Sequence, residues 1–333
     1  MTPVDSPLTV LTSLLLRSAL PETIPATAAS LVSLARINVV LIRLQEKVER
    51  CGFGASWTEL RAAAAEDRIR VRRCTELMQE VTAICDRAGI PHVFQKAFQH
   101  YPDMGHDVDL LVKGSAGDVD RPLLDGLQAR RTAPGLFDRI AGKTGMWRDD
   151  WAAPIEVHHA RLGQVGEQVG LAAEVLANRR QVSIDGLLTW IPSPEDEVLI
   201  QAHQRVCCHL SLRVSDVIKG AALVADRAKN WEHIWDTAAR CGVDGAVRVY
   251  VGHIARITES VGESASSTVP MRNGRYTVAL SDVALAYGAE IRTLLARAEW
   301  NGLMRLSAAP LGFALARSLA VARAVKLSRH ETN

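Results

Sequence analysis

The sequence of 333 residues lacks an excess of either charge, has only 5% aromatic residues and contains no long apolar run. Its 39 basic and 37 acidic residues give a net charge of +2. A nucleic-acid-binding protein typically carries a clear basic excess. The most apolar segment, Ala308–Val325, is interrupted by Arg317 and Arg323, whereas a membrane span needs roughly 18–20 apolar residues. We therefore expect neither a nucleic-acid partner nor a transmembrane segment.

Cysteine is infrequent, and its spacing follows no disulfide framework. The apolar stretch Leu8–Leu16 is preceded by Asp5 and by no basic segment, so it is not predicted to be a signal peptide. Free thiols in a chain without a secretion signal are typical of the reducing cytoplasm. We expect a cytoplasmic protein with reduced cysteines. The sequence does not determine its oligomeric state.

Apolar periodicity divides the chain into helical ends and a mixed centre. Apolar residues recur at helical spacing in the first part of the chain, and the centre alternates short strands with helix. Helix is predicted for 122–133, and strands are predicted for 90–94, 107–112, 154–158 and a hairpin at 182–191 around Asp185-Gly186.

After Pro192 the pattern becomes helical again. Ser193-Pro194-Glu195-Asp196 has the proline and acidic residues typical of a helix start. Helix is predicted to about residue 257, a loop for 259–273, and helix again for 283–325. We divide the chain into an N-terminal helical region (1–75), an α/β core (76–191) and a C-terminal helical domain (192–333).

Two aspartates one residue apart lie in an otherwise apolar run. Asp107 and Asp109 alternate with valine and leucine, and in a strand this spacing places both carboxylates on one face. Charge beside a buried face needs compensation, which a divalent cation such as Mg²⁺ supplies. Glu156, on the strand predicted at 154–158, adds a third carboxylate. Two-metal phosphoryl-transfer sites use such a set, so Asp107, Asp109 and Glu156 are the predicted catalytic and metal-binding residues.

Two basic side chains accompany these carboxylates in the sequence. Lys96 follows the first predicted strand and precedes a turn at Ala97–His100, where its ammonium could neutralise triphosphate oxygens. His158 is two residues after Glu156, on the same face of its strand. We expect it to hydrogen-bond to Glu156 and to orient it.

Several ordered motifs between about residues 76 and 255 carry a resemblance to a known family. They are Lys96, Tyr101-Pro102-Asp103, Asp107-Val108-Asp109-Leu110-Leu111-Val112, Glu156-Val157-His158-His159, Ser193-Pro194-Glu195-Asp196 with His203 and His209, and Val214-Ser215-Asp216 with Trp231. In this order they resemble an uncharacterised nucleotidyltransferase family of the polymerase-beta-like superfamily.

The resemblance implies an α+β protein in which a small mixed β-sheet of nucleotidyltransferase type lies between N- and C-terminal helical parts. It implies an enzyme, a phosphorus-group transferase, that binds Mg²⁺ or Mn²⁺ and moves a nucleoside monophosphate from an NTP to an acceptor. We expect an unidentified small-molecule or peptide acceptor in a specialised biosynthetic or modification pathway.

The helix after Pro192 is predicted to line the acceptor or phosphate side of the pocket, together with Asp216. About 3.6 residues make a helical turn, so some of its polar side chains must face the cleft. The predicted nucleotide- or acceptor-binding residues are Lys96, His158, His203, Arg205, His209 and Arg213.

Two further hypotheses stay open. Ala97 stands where the family has glycine, His106 replaces a small residue, and an arginine usual before the aspartate pair is absent. These departures favour a catalytically degenerate protein that binds a ligand or another protein. A third hypothesis keeps the fold and an enzyme but changes the reaction. The sequence does not separate them, because function depends on the site and its acceptor pocket.

Two other sequence patterns allow more than one interpretation. His203 and Cys207 are four residues apart on a predicted helix, a spacing that metal ligands use. Cys208 and His209 would lie on other faces of a regular helix, so closure round a zinc ion is poor and we predict none. The segment Leu311–Arg329 is predicted to be a helix that covers a core, with binding to a partner or a membrane surface as the alternative.

Overall fold

Four helices precede the first strand in the computed structural model, which describes residues 6–17, 27–52, 57–96, 98–226, 229–262 and 270–307. They are α1 (Pro7–Leu16), α2 (Ala28–Ile37), α3 (Leu41–Arg50) and α4 (Thr58–Arg87). The first two begin at hydroxyl caps: Ser6 Oγ accepts a hydrogen bond from the Thr9 N–H, and Thr27 Oγ1 accepts one from the Ser30 N–H. Such caps satisfy backbone donors that the first helical turn leaves unpaired.

A five-stranded mixed sheet follows these helices. Its strands are β1 (His92–Phe94), β2 (Val108–Val112), β3 (Arg130–Arg131), β4 (Lys143–Trp147) and β5 (Ile155–His159), in the order β1-β2-β5-β4-β3. Only the β2–β5 pairing is parallel. Helices α5 (Ala116–Leu127) and α6 (Leu136–Ala141) lie between the strands in sequence. The predicted α+β class, with a small mixed sheet between helical parts, is confirmed.

The two faces of the sheet have different partners. In the parallel pair, Asp109 is opposite Glu156 and Leu111 is opposite His158, so these four side chains share one face. The other face is apolar and packs against α4 and α5. Its buried cluster includes Val81, Cys85, Leu110, Val112, Leu123 and Val157. One face therefore secures the sheet to helices and leaves the other to carry charge.

We call the elements that follow β5 the C-terminal helical part, a wider range than the predicted domain at 192–333. They are α7 (Val169–Ala177), β6 (Arg180–Ile184), β7 (Leu187–Ile191), α8 (Pro194–His203), a π-helical turn (Gln204–Cys208), β8 (Ser211–Leu212), α9 (Val214–Ala225), α10 (Trp231–Cys241), α11 (Asp244–Gly262), β9 (Met271–Arg272), β10 (Arg275–Thr277) and α12 (Leu280–Ala296). A second apolar cluster joins the N-terminal helices to this part and reaches the charged face of the sheet through Leu111.

Several predicted elements need correction. The helix predicted for 122–133 ends at Leu127, because Gln128 takes a left-handed conformation and β3 follows. The continuous helix predicted to residue 257 is interrupted by the π-helical turn and by β8. The hairpin at 182–191 is confirmed, with Asp185 and Gly186 both at positive φ, as a tight two-residue turn requires.

Other predictions fall outside the described residues or are not tested by the structure. Ala97, Leu311–Arg329 and part of the predicted 259–273 loop lie outside the described residues. The three-part division of the chain stays a prediction. Within the described ranges, no helix is both long enough and apolar enough to span a bilayer. All six cysteines fall in those ranges and are free thiols.

We expect Leu110→Ala to lower the free energy of unfolding by about 2–5 kcal/mol, because the cavity left in the core of β2 is only partly refilled. Leu110 is fully buried, whereas Leu188 in β7 is 54% exposed. Leu188→Ala is the matched control, and it should change stability by about 0.5 kcal/mol or less. Urea unfolding measures both variants, and equal losses would contradict the assigned core.

Candidate active site

Two carboxylates lie side by side on the parallel strands. Asp109 on β2 is 1% exposed, and Glu156 on β5 is its register partner with a half-buried side chain. Oxygens of both carboxylates and a ring nitrogen of His158 lie within 4.8 Å of one another. The pairing arises because parallel strands align residues of equal register on one face. Their negative charges at this distance require compensation.

Two lysines compensate this pair. Lys96 Nζ lies 2.8 Å from Asp109 Oδ1, and Lys143 of β4 forms an ion pair with Glu156. Burial lowers the pKa of Lys143, but the Glu156 carboxylate outweighs this and raises it. Burial likewise raises the pKa of Asp109, and the Lys96 ammonium together with a hydrogen bond from His158 holds it well below its usual range. Both acids are therefore ionised at neutral pH.

His158 is a buried neutral imidazole. Burial and the Lys143 ammonium lower its pKa, and its Nε2 lies 3.0 Å from Asp109 Oδ1 and 3.4 Å from Glu156 Oε1. A neutral ring that donates Nε2–H to Asp109 is not free to ligate a metal through that nitrogen. The sequence predicted a hydrogen bond from His158 to Glu156. In the structure, His158 lies closer to Asp109 than to Glu156.

Asp107 lies just before β2, at the open end of this face. Its side chain is exposed, yet the negative charge of Asp109 and burial raise its pKa to about 6, with a smaller contribution from Glu156. A nearby like charge disfavours the ionised form of a carboxyl group and so raises its pKa. Asp107 therefore extends the carboxylate pair toward solvent.

Basic side chains from the C-terminal part lie near enough to Asp107 to interact with it electrostatically, and we call the region between them and the carboxylates the cleft. The pKa of Arg213 is lowered by burial and by Arg205, and Asp107 acts in the opposite direction. The pKa of Arg275 on β10 is lowered by burial and Arg205. The Nε atoms of Arg213 and Arg275 are buried, with no hydrogen-bond partner among the described residues. Cations held close together with unused donors form an environment suited to an anion.

The segment after α8 contributes only some of the predicted residues to this cleft. His209 has an exposed side chain, but the protein atoms crowded round its ring, together with Arg205 and Lys96, lower its pKa well below the usual range. Arg205 points inward, where its Nε lies 3.0 Å from Asp216 Oδ1. Asp216 is also 3.2 Å from His100 Nε2. These last three side chains form a buried network that supports the cleft wall.

His203 does not face the carboxylates. It is 1% exposed, and its Nε2 lies 3.4 Å from Glu167 Oε1 inside the C-terminal helical part. In this arrangement His203 makes no contact with Asp109 or Glu156. The prediction that it binds nucleotide or acceptor therefore stays without a supporting contact. The reason is the helix phase, which turns His203 toward α12 while the residues after the π-helical turn face the sheet.

Three side chains of this candidate site were not predicted from the sequence. Lys143 and Arg275 lie on β4 and β10, two short strands that were not predicted. Arg70 of α4 donates hydrogen bonds to the carbonyls of Gly105 (2.5 Å) and Met104 (2.7 Å), and so holds the loop before Asp107. Only the alternation of Lys143-Thr144-Gly145-Met146 offered a signal, and it is weak.

The residues present fit a hard divalent cation. Asp109 and Glu156 offer ionised oxygens on neighbouring strands, and such oxygen donors are the ones Mg²⁺ prefers. Asp107, also predicted as a ligand, is not in the group of side chains whose donor atoms lie within 4.8 Å of one another, although it interacts electrostatically with Asp109. Lys96 and Lys143 now contact these carboxylates. Both are flexible side chains with partial solvent access, so a cation could replace their ammonium groups on the carboxylate oxygens.

Comparison with known proteins adds little. No protein-family model matches the chain, and no curated protein matches it. Among solved structures, it is similar to the solution structure of the antibiotic-resistance factor ANT(2″)-Ia, with a TM-score of 0.31 and 12% sequence identity. The similarity covers 59% of this chain and 96% of that chain. At this TM-score the similarity carries no argument about function.

We expect Asp107→Asn to stabilise the metal-free protein near neutral pH. The folded pKa of about 6 exceeds the usual 3.8, so ionised Asp107 reduces stability as pH rises between these values. Solvent screens this exposed group, and the gain should be about 0.5–1 kcal/mol at about pH 7.5, vanishing near pH 4.

Urea unfolding in EDTA at both pH values measures this effect. Asp236→Asn, which removes an exposed carboxylate from α10, is the matched control and should show no such pH-dependent gain. Destabilisation by Asp107→Asn at the higher pH would contradict the repulsion between Asp107 and Asp109.

Proposed function

We propose that this protein is an Mg²⁺-dependent nucleotidyltransferase that moves a nucleoside monophosphate from an NTP to a small-molecule or peptide acceptor. The observation that carries the proposal is the proximity of the paired carboxylates, which we call the carboxylate wall, to the basic side chains, which we call the basic wall. Asp109 and Glu156 share the sheet face, while Arg213 and Arg275 bring buried, unpartnered Nε donors. A metal-bound triphosphate carries the charges that such a cleft complements.

The carboxylate wall would hold the cation. Asp109 and Glu156 would supply its oxygens, with Asp107 beside them, and His158 would keep the Asp109 carboxylate oriented through its hydrogen bond. When bound, the cation would stabilise negative charge on the phosphoryl oxygens during transfer. Burial and the charge of Asp109 raise the pKa of Glu156, and neighbouring positive charge, including that of Lys143, lowers it overall. Glu156 is therefore ionised and able to accept a proton from an attacking group.

The basic wall would hold the triphosphate. Lys96 lies at the boundary between the walls, bonded to Asp109 at 2.8 Å. A cation that displaced Lys96 would release its ammonium for the phosphate oxygens. Arg213 and Arg275 present forked donors that suit phosphate. Without a ligand, Lys96 would neutralise Asp109. When metal and nucleotide bind together, the same lysine would contact phosphate oxygens instead.

A non-catalytic binding module is the second candidate, and the lysine ion pairs favour it. With Lys96 on Asp109 and Lys143 on Glu156, the carboxylates are already compensated and need no cation. Such a protein would still use Arg213 and Arg275 to bind an anionic ligand. Its binding would be independent of divalent cation, which separates the two candidates experimentally.

We expect one or more of MgATP, MgGTP, MgCTP and MgUTP to raise the melting temperature, because a ligand that binds only the folded state stabilises it by mass action. Asp109→Asn should remove this shift, since it eliminates a metal oxygen, while Asp236→Asn should retain it. Circular dichroism verifies that each variant is folded. The same scan in EDTA tests the metal requirement.

The results distinguish the two candidates. No shift with any of the four nucleotides in Mg²⁺ would overturn the proposal. An equal shift in EDTA, retained by Asp109→Asn, would support the binding module instead.

We expect Arg213→Gln and Arg275→Gln each to weaken NTP affinity about tenfold or more, since a charge-assisted hydrogen bond is worth about 1.5–3 kcal/mol. Calorimetric titration with the nucleotide that gives the largest melting shift measures the loss. Arg256→Gln, an exposed arginine on α11, is the matched control and should leave affinity unchanged. If all three variants bound the nucleotide with equal affinity, Arg213 and Arg275 would not belong to the phosphate site.

A further inference from the structure

A second group of metal-ligating side chains lies inside the C-terminal helical part. Glu167, His203 and Cys208 place a carboxylate oxygen, a ring nitrogen and a sulfur within 4.8 Å of one another, and His203, Cys207 and Glu290 do the same. The two sets share His203. Three elements therefore meet at one histidine: the turn before α7, the end of α8 with its π-helical turn, and α12.

The π-helical turn makes this grouping possible. Its hydrogen bonds run from residue i to i+5, as in the 2.8 Å bond from the His209 N–H to the Gln204 carbonyl. The wider turn brings residues five apart onto nearly one face, so Cys208 Sγ lies 4.0 Å from His203 Nδ1. A regular helix would separate them, and for that reason the sequence did not predict a zinc site. π-Helical turns are frequent at functional sites.

The cluster contains buried polar atoms that lack hydrogen-bond partners. His203 is 1% exposed, Glu290 is 1% exposed and Glu167 is 2% exposed. His203 Nε2 lies 3.4 Å from Glu167 Oε1 and 3.8 Å from Glu290 Oε2. Neither His203 Nε2 nor Glu290 Oε2 forms a hydrogen bond within the described residues. Buried groups of this kind are costly unless they are paired or coordinate a metal.

The surroundings hold these side chains in place. Glu167 accepts hydrogen bonds from the Val165 N–H (2.9 Å) and the Gln164 N–H (3.2 Å), and Glu290 accepts one from Gln168 Nε2. Outer hydrogen bonds to carboxylate ligands are the usual support of a metal centre. The carboxylates are oriented, while one oxygen of Glu290 and the imidazole Nε2 face each other at 3.8 Å without a hydrogen bond.

We propose that this cluster binds a d-block dication of the Zn²⁺ class, with His203 as the central ligand and Glu167, Glu290 and the Cys207–Cys208 pair supplying the others. The mixed nitrogen, sulfur and oxygen donors suit zinc, whereas Mg²⁺ takes oxygen alone. A ligating thiol releases its proton to solvent on binding.

The ion would join α8, α12 and the turn before α7 into one unit. The π-helical turn connects directly to the segment that carries His209 and Arg213, so the ion would also fix the basic wall of the cleft. This inference does not depend on the proposed transferase activity, since the cluster is separate from Asp109 and Glu156.

The test is the metal content of the full chain produced in zinc-supplemented medium. Mass spectrometric elemental analysis should give close to one zinc ion per chain. Replacement by Co²⁺ should produce a thiolate-to-cobalt charge-transfer absorption, which only a sulfur ligand gives. Cys208→Ser and Glu290→Gln should lower the zinc content several-fold. Cys241→Ser, a half-buried cysteine at the end of α10, and Asp109→Asn should retain it.

Circular dichroism shows whether each variant is folded. The melting temperature, measured with and without a zinc chelator, shows whether zinc stabilises the folded protein. The chelator should lower the melting temperature of the wild-type protein and leave that of Cys208→Ser nearly unchanged. Folded wild-type protein without zinc and without a cobalt charge-transfer band would overturn the proposal. Zinc that is lost in Asp109→Asn but kept in Cys208→Ser and in Cys207→Ser would also overturn it.

Discussion

The parallel pairing of β2 with β5 is the constraint on which the cleft depends. It sets Asp109 opposite Glu156 on one face while the alternate residues bury the other face against α4 and α5. Two ionised carboxylates at neighbouring register positions repel each other, and the surrounding charges are arranged to offset this repulsion. Lys96, Lys143 and the imidazole of His158 supply the compensation. A slip of one residue in either strand would turn the carboxylate of that strand into the apolar layer, so the packing of that layer also fixes the chemistry of the cleft.

Compensation by lysine and compensation by a divalent cation are alternatives for the same oxygens. Lysine side chains are flexible and partly solvated, so their ammonium groups can leave a carboxylate at modest cost. The free protein can therefore stay folded with paired acids and still offer them to a cation. On the opposite wall, Arg213 and Arg275 have no equivalent partner for their Nε atoms within the described part of the chain. Under the proposed function, the carboxylates would bind a cation and the arginines an anion.

The π-helical turn links this cleft to the His203 cluster. Five residues after α8 change the helical phase, so that His203 and Cys208 point to the interior while His209 and Arg213 reach the sheet. Burial raises the pKa of Glu167 and of Cys207, as expected for ionisable groups in an apolar interior. A chain that keeps such groups in its core holds them through specific partners rather than through apolar packing. The same turn thus sets the environment of both groups of residues.

The sequence by itself determined the α+β class, the strands that carry Asp109 and Glu156, and the turn at Asp185-Gly186, because alternation and turn chemistry are local signals. It did not predict β3 or β10, which have only two and three residues, or β4, whose alternation is weak, and so Lys143 and Arg275 were not predicted. The predicted role of His203 and the rejection of a metal near Cys208 both assumed a regular helix. Only the tertiary structure decided the phase of that segment, since a π-helical turn is stabilised by packing around it and not by a local sequence pattern. Which lysine meets which carboxylate was likewise a tertiary outcome, because Lys96, Lys143, Asp109 and Glu156 come from four separate stretches of the chain.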